Sequence, residues 1–148
     1  MVLLAPFDGS DLSRTAVARA TRFGELTGEE VVVLVVVPPD AEFAEERGWL
    51  RGDEAFDAET VGERIADRAR EVAPDATVRV EHTENTSSMA STTMDISRRI
   101  RQVAHELDVS IVFVGSENAG RVTSPVTSVG SPVSEDPHYD VHIVRHPD

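Results

Sequence analysis

Seven consecutive apolar residues, Val31–Val37, constrain this 148-residue chain more than any other stretch. The run is too short to cross a membrane and consists mainly of β-branched side chains, which favour strands. A strand without a polar face must be covered on both sides. That is the position of an inner strand in a parallel sheet with helices above and below. Pro38-Pro39 ends the run.

Other segments supply the partners. Val2–Phe7 and Val109–Val114 are further apolar runs of strand length, and Asp140–Arg145 reads as a last strand. Thr77–His82 alternates Val78 and Val80 against Arg79 and Glu81, the pattern of an edge strand with one wet face. Three stripes recur at helical spacing between them: Leu12, Ala16, Ala20 and Phe23; Val61, Ile65, Ala69 and Val72; Ile96, Ile100, Val103 and Leu107. Ser10 is placed to cap the first helix, with Asp11 in its first turn and Gly28 closing it. Pro74 stops the second, and Thr92-x-x-Asp95 has the form of a capping box for the third. A short helical turn is expected near Pro132–Asp136. Asp40–Asp57 is acidic and irregular. It is read as a surface excursion pinned by Phe43, Trp49, Leu50 and Phe56, with a lid over a pocket as the alternative.

The order β-α-β-α-β-α-β-α-β describes one α/β domain over residues 1–148. Its expected form is a single doubly wound, Rossmann-like sheet of five parallel strands in the order 3-2-1-4-5, with helices on both faces. Strands one and four then lie side by side at the switch point, where ligands bind beyond the carboxyl ends. Two loops meet there, Phe7–Ser10 and Gly115–Ser131. The second carries Gly115, Gly120, Gly130 and Ser131 ahead of Pro132, which suits an anion: glycine admits close backbone approach, and a helix start offers unpaired N–H groups. The same glycines also serve as plain βα punctuation. Asp8, on the opposite lip, is a hydrogen-bond acceptor or a metal or general-base carboxylate.

Charge narrows the functional classes. Twenty-seven carboxylates face 14 basic residues, all arginine, for a net charge of −13. Lysine is absent, which excludes a lysine-bearing phosphate loop and Schiff-base chemistry. The acidic balance argues against nucleic acid as a partner. No apolar run reaches membrane-spanning length, and without cysteine there are no disulfides or thiolate sites. Met1 leads straight into a strand pattern, so no signal peptide is expected and the place assigned is the cytoplasm. His138, His142 and His146 are spaced by four, but on a strand they read as surface or interface histidines, not a metal set.

Ala5-Pro6-Phe7-Asp8-Gly9-Ser10 is similar to the V-P-x-D-G-S opening of the universal stress protein family, and Val112–Ser116 resembles that family's fourth strand and first motif glycine. The resemblance covers nearly the whole chain. Nucleotide-binding members carry G-x2-G-x9-G-[ST]; Gly120-x9-Gly130-Ser131 fits its second part, while Gly115-x4-Gly120 is two residues longer than its first. The resemblance implies that Pro6, Asp8 and Val36 line the nucleoside side of the crevice. It further implies that Gly115, Gly120, Gly130 and Ser131 hold ribose and phosphates, with Arg121 as the local phosphate partner. ATP or AMP, with Mg²⁺ at the phosphates, is the implied ligand. A homodimer through the last strand (Val141, Ile143, Val144) is the implied assembly. The leading expectation is thus a dimeric, non-catalytic module that binds an adenine nucleotide between strands one and four. The alternatives are a nucleotide-free dimeric scaffold and a slow ATP hydrolase, the latter without a lysine or a clear general base.

An acidic, lysine-free surface repels itself, and salt removes that repulsion because screening shortens to about 3 Å near 1 M. The chain is expected to work in concentrated salt, as in salt-accumulating archaea. Its unfolding midpoint should rise steeply between dilute buffer and molar KCl; equal stability in both would overturn that expectation.

Overall fold

Residues 1–84, 89–117 and 139–147 are described by the structure, a computed structural model. The apolar runs pair as five parallel strands: β1 (Val2–Pro6), β2 (Glu30–Val37), β3 (Thr77–His82), β4 (Val109–Gly115) and β5 (Asp140–Val144). Their order is β3-β2-β1-β4-β5, as expected. The helices are α1 (Asp11–Thr27), α2 (Ala41–Glu46), α3 (Ala58–Val72) and α4 (Met89–Glu106). The turn expected near Pro132–Asp136 lies outside the described residues.

Alternation along β2 divides the core. Val33, Val35 and Val37 join Leu3, Ala5 and Phe113 beneath α1 and α3, where Ala16, Ala20, Ile65 and Ala69 are fully buried. Val32, Leu34 and Val36 join Leu4, Val112 and Val114 beneath Ile100, Val103 and Ala104 of α4. Successive strand side chains point to opposite faces, so a helix is needed on each. Helix α1 begins as its sequence dictates: the Ser10 hydroxyl accepts from the Ser13 amide, and Gly28 closes the helix in the left-handed region. At the far end of β4, Ser110 interrupts the pairing with β1, and its hydroxyl donates to Glu29 at 2.7 Å. That irregularity sits at the amino end of the sheet, away from the loops that meet between β1 and β4.

Two local expectations are corrected. Thr92 does not open a capping box. Helix α4 already begins at Met89, and the Thr92 hydroxyl donates to Asp40 Oδ2, 3.1 Å away. The outer face of β3 is not simply wet either. Arg79 bridges Glu81 and Glu106 while Arg99 reaches Glu81, so α4 covers that face with a charged network.

The segment after β2 is more ordered than its composition indicates. Asp40 caps α2 by accepting from the Phe43 amide, and Phe43 and Trp49 are buried, their rings 5.6 Å apart and edge-on. Arg64 of α3 ties the segment down. One of its nitrogens donates to the Trp49 carbonyl, and two form a fork on the Glu54 carboxylate at 2.7 and 2.8 Å.

Arg64, followed by the Arg51 amide, holds the Glu54 carboxyl down at about 2, against an ordinary 4.5. A depressed carboxylate stabilises the fold fully above its unfolded value and loses that contribution as pH falls through the folded value. The stability difference between wild type and Glu54→Gln should therefore be largest above pH 4.5 and close towards pH 2. Denaturant titrations across that window check it; a gap that does not change with pH would count against this tie.

Candidate functional site

Strands β1 and β4 lie side by side, with α1, which follows β1, packed on one face and α4, which precedes β4, on the other, and a crevice opens at their carboxyl ends. Pro6, Asp8, Val36 and Gly115 all line it, although the first and last are more than a hundred residues apart in the chain. Leu34 and Ile100 complete an apolar floor, and Ser10, Thr93 and Ser97 add hydroxyls. The hollow is narrow. The space open to water-molecule centres is ≈ 50 Å³.

Asp8 is bonded through both carboxylate oxygens and its main chain. Its Oδ1 accepts from the Ser10 amide at 2.9 Å, an Asx-type contact that turns the chain from β1 towards α1. Gly9 lies between them at φ 88°, a conformation that side chains disfavour. Asp8 Oδ2 accepts from Arg47 Nη1 at 2.5 Å, and its main-chain oxygen accepts from the Trp49 indole at 2.9 Å. Of the two readings left open for this carboxylate, acceptor and base or metal ligand, the geometry displays the first.

Gly115 ends β4 against the first turn of α1. A Cβ there would lie 2.8 Å from Leu12 Cβ, so close packing alone already requires a glycine. Beyond it, Glu117 brings a second carboxylate to the rim. Gly120, Arg121, Gly130 and Ser131 lie outside the described residues. Among those described, no group of three or more acidic or histidine side chains is arranged to hold a metal ion.

The segment read as a surface excursion is instead one wall of the crevice: Phe43, Arg47 and Trp49 all face it. Arg47 is the sole cation among the described lining residues. Its guanidinium lies 4.6 Å from the Phe43 ring centroid, and its side chain remains 31% exposed at the lip. The sequence carried one sign of this. Phe43 and Arg47 are four apart in an acidic run, the spacing that stacks neighbours on one helix face. Their meeting with Asp8, 39 residues away, has no local signature.

At the sheet edge, β5 pairs with β4 alone among the described strands. Val144 is fully buried in the core, Val141 packs against the α4-side cluster, and Ile143 is exposed. His142 lies over Phe113, ring centroids 5.0 Å apart, with Arg19 at 3.3 Å; burial and then that arginine push its pKa down.

Among the described residues, no helix is long and apolar enough to cross a membrane. No curated protein matches the sequence. Solved structures do. A universal stress family protein from Burkholderia pseudomallei is 16% identical, with 97% of this chain and 94% of that one covered and a TM-score of 0.55. The universal stress protein from Archaeoglobus fulgidus in complex with dAMP is 14% identical, with 97% and 96% covered and a TM-score of 0.52. Universal stress protein UspA from Lactobacillus plantarum is 14% identical, with 98% and 97% covered and a TM-score of 0.51. At such identities the likeness is one of fold. The sequence itself matches the universal stress protein family over residues 1–145, so the chain belongs to that family.

Proposed function

We propose that this protein is a dimeric, non-catalytic binding module that takes an adenine nucleotide in the crevice between β1 and β4. The observation that carries the reading is the convergence of Pro6, Asp8, Val36 and Gly115 on one hollow with an apolar floor and a polar lip. Pro6, Asp8 and Val36 take the nucleoside side, and Gly115, Gly120, Gly130 and Ser131 the ribose and phosphates, with Arg121 beside them. The Archaeoglobus fulgidus protein bound to dAMP supports the idea that such a fold has room for this class of ligand. Any Mg²⁺ arrives with the phosphates, since the described residues offer it no dedicated cage. A non-catalytic role is supported by the state of Asp8, whose carboxylate is held by Arg47 and Ser10, and by the absence of lysine. The proposed setting is a cytoplasm rich in salt.

One observation favours a second reading, a nucleotide-free scaffold. With Arg47 on Asp8 the hollow is far smaller than a typical ligand pocket of about 300 Å³ or more. Occupancy then requires the crevice to widen, and a ligand drives such a change only by its differential affinity for the opened form. Calorimetry with ATP, ADP, AMP and cyclic AMP in molar KCl separates the two. Heat is expected with at least one of them in wild type, reduced at least about tenfold in affinity in Asp8→Ala, the range for losing a buried hydrogen-bond partner. No heat with any nucleotide would hand the case to the scaffold.

Dimerisation through β5 rests on its position at the sheet edge, where backbone groups seek a partner. Ile143 supplies exposed apolar surface there, while Val141 and Val144 secure the strand from within. Sedimentation should give twice the 16.1 kDa chain mass for wild type and the single mass for Ile143→Arg. A monomeric wild type at micromolar concentration would remove this part of the proposal.

A further inference from the structure

Proteins hold phosphates with cationic side chains, helix starts or metal ions, and this crevice is poor in the first. Among its described lining residues the ionised groups are Asp8, Arg47 and Glu117. Asp8 and Arg47 neutralise each other across 2.5 Å. Glu117 is left over. It comes just after Gly115, which is assigned to the phosphates above, and it is exposed. No ion pair among the described residues engages it. Arg121, also assigned to the phosphates above, would cancel Glu117 and bring the total only to zero. The chain has no lysine to tip that balance, and its net charge is −13.

We infer that Glu117 is a specificity-determining residue that makes the crevice select by charge, favouring an adenine nucleoside or its monophosphate over the triphosphate. The inference rests on the nucleotide-binding reading above and names the ligand class within it. The apolar floor of Leu34, Val36 and Ile100 serves every adenine derivative alike, because burial of apolar surface involves no charge. The phosphates differ. A monoester phosphate carries about −1.5 to −2 charge at neutral pH, and each further phosphoryl group adds to it. Without net positive charge in the crevice, each added group gains little attraction and is repelled by the Glu117 carboxylate at the rim. A nucleoside escapes that repulsion. A divalent cation carried on the triphosphate removes part of its charge, so the discrimination falls when Mg²⁺ is present.

Adenosine, AMP and ATP are the probes, with adenosine as the uncharged reference for the other two. Calorimetry would be run on wild type, Glu117→Gln and Glu117→Arg, first with a chelator and then with Mg²⁺. The KCl concentration is the lowest at which circular dichroism shows each protein folded, because molar salt screens the effect. Either variant carries the comparison if the other does not fold. Without Mg²⁺, wild type is expected to bind AMP more tightly than ATP. Relative to adenosine, Glu117→Gln should improve ATP about threefold more than AMP, and Glu117→Arg about tenfold more, since it reverses the charge. Mg²⁺ should narrow the wild-type gap. A wild type that binds metal-free ATP at least as tightly as AMP overturns the inference. So does an ATP-to-AMP ratio that neither variant changes, or a gap that Mg²⁺ leaves as it was. Absence of binding by all three in wild type is a different result, since it removes the nucleotide reading itself and this inference with it.

Discussion

Both faces of β2 are dry, and the architecture follows from that one condition. Val32 to Val37 can leave water on both sides only if helices cover both sides. Right-handed crossovers then fix which helix goes where: α1 and α3 lie beneath one face, and α4 beneath the other. Between β1 and β4 the cover changes sides, from α1 on one face to α4 on the other, and among the described residues no helix crosses the gap at their carboxyl ends. The crevice is therefore a by-product of burying valines. What the sequence adds is its lining: a proline and an aspartate at the end of β1, a valine on β2 and a glycine on β4.

Much of this was readable before any coordinates. The strand order followed from the succession of apolar runs, and the approach of Asp8 to Gly115 followed from the strand order. Ser10 and Gly28 act as local chemistry assigns them. The failures have physical causes. Helix α2 spans six residues, too few for periodicity to declare itself among so many glutamates. Thr92 has the residue type of a cap, but Asp40 offered its hydroxyl a tertiary partner and α4 continued past it. The contact that shapes the site most, Arg47 to Asp8, joins positions 39 apart, and spacing rules do not extend that far.

The charge pattern shows a similar division between local and tertiary effects. Counting residues identified an acidic, lysine-free chain, and the structure shows how the arginines are spent within it. Arg47, Arg64, Arg79 and Arg99 each bind a carboxylate contributed by another element or by its flanking loop. Guanidinium suits this use because its planar fork gives up less freedom per hydrogen bond than an ammonium does. On β3 the result replaces a solvated face with a mesh of ion pairs under α4. The acidic excess is left to the surface, where it governs solubility and salt response, not the fold.

Trp49 is the only tryptophan in the chain, and it stands in the crevice wall with its indole nitrogen bonded to the main-chain oxygen of Asp8. Any guest that loosens the hold of Arg47 on Asp8 must alter the polarity around that indole. Its intrinsic emission thus comes from a single, known address, and a shift in wavelength or in quenching by iodide reports on the crevice with no label attached. The protein carries its own optical readout in the wall of the crevice.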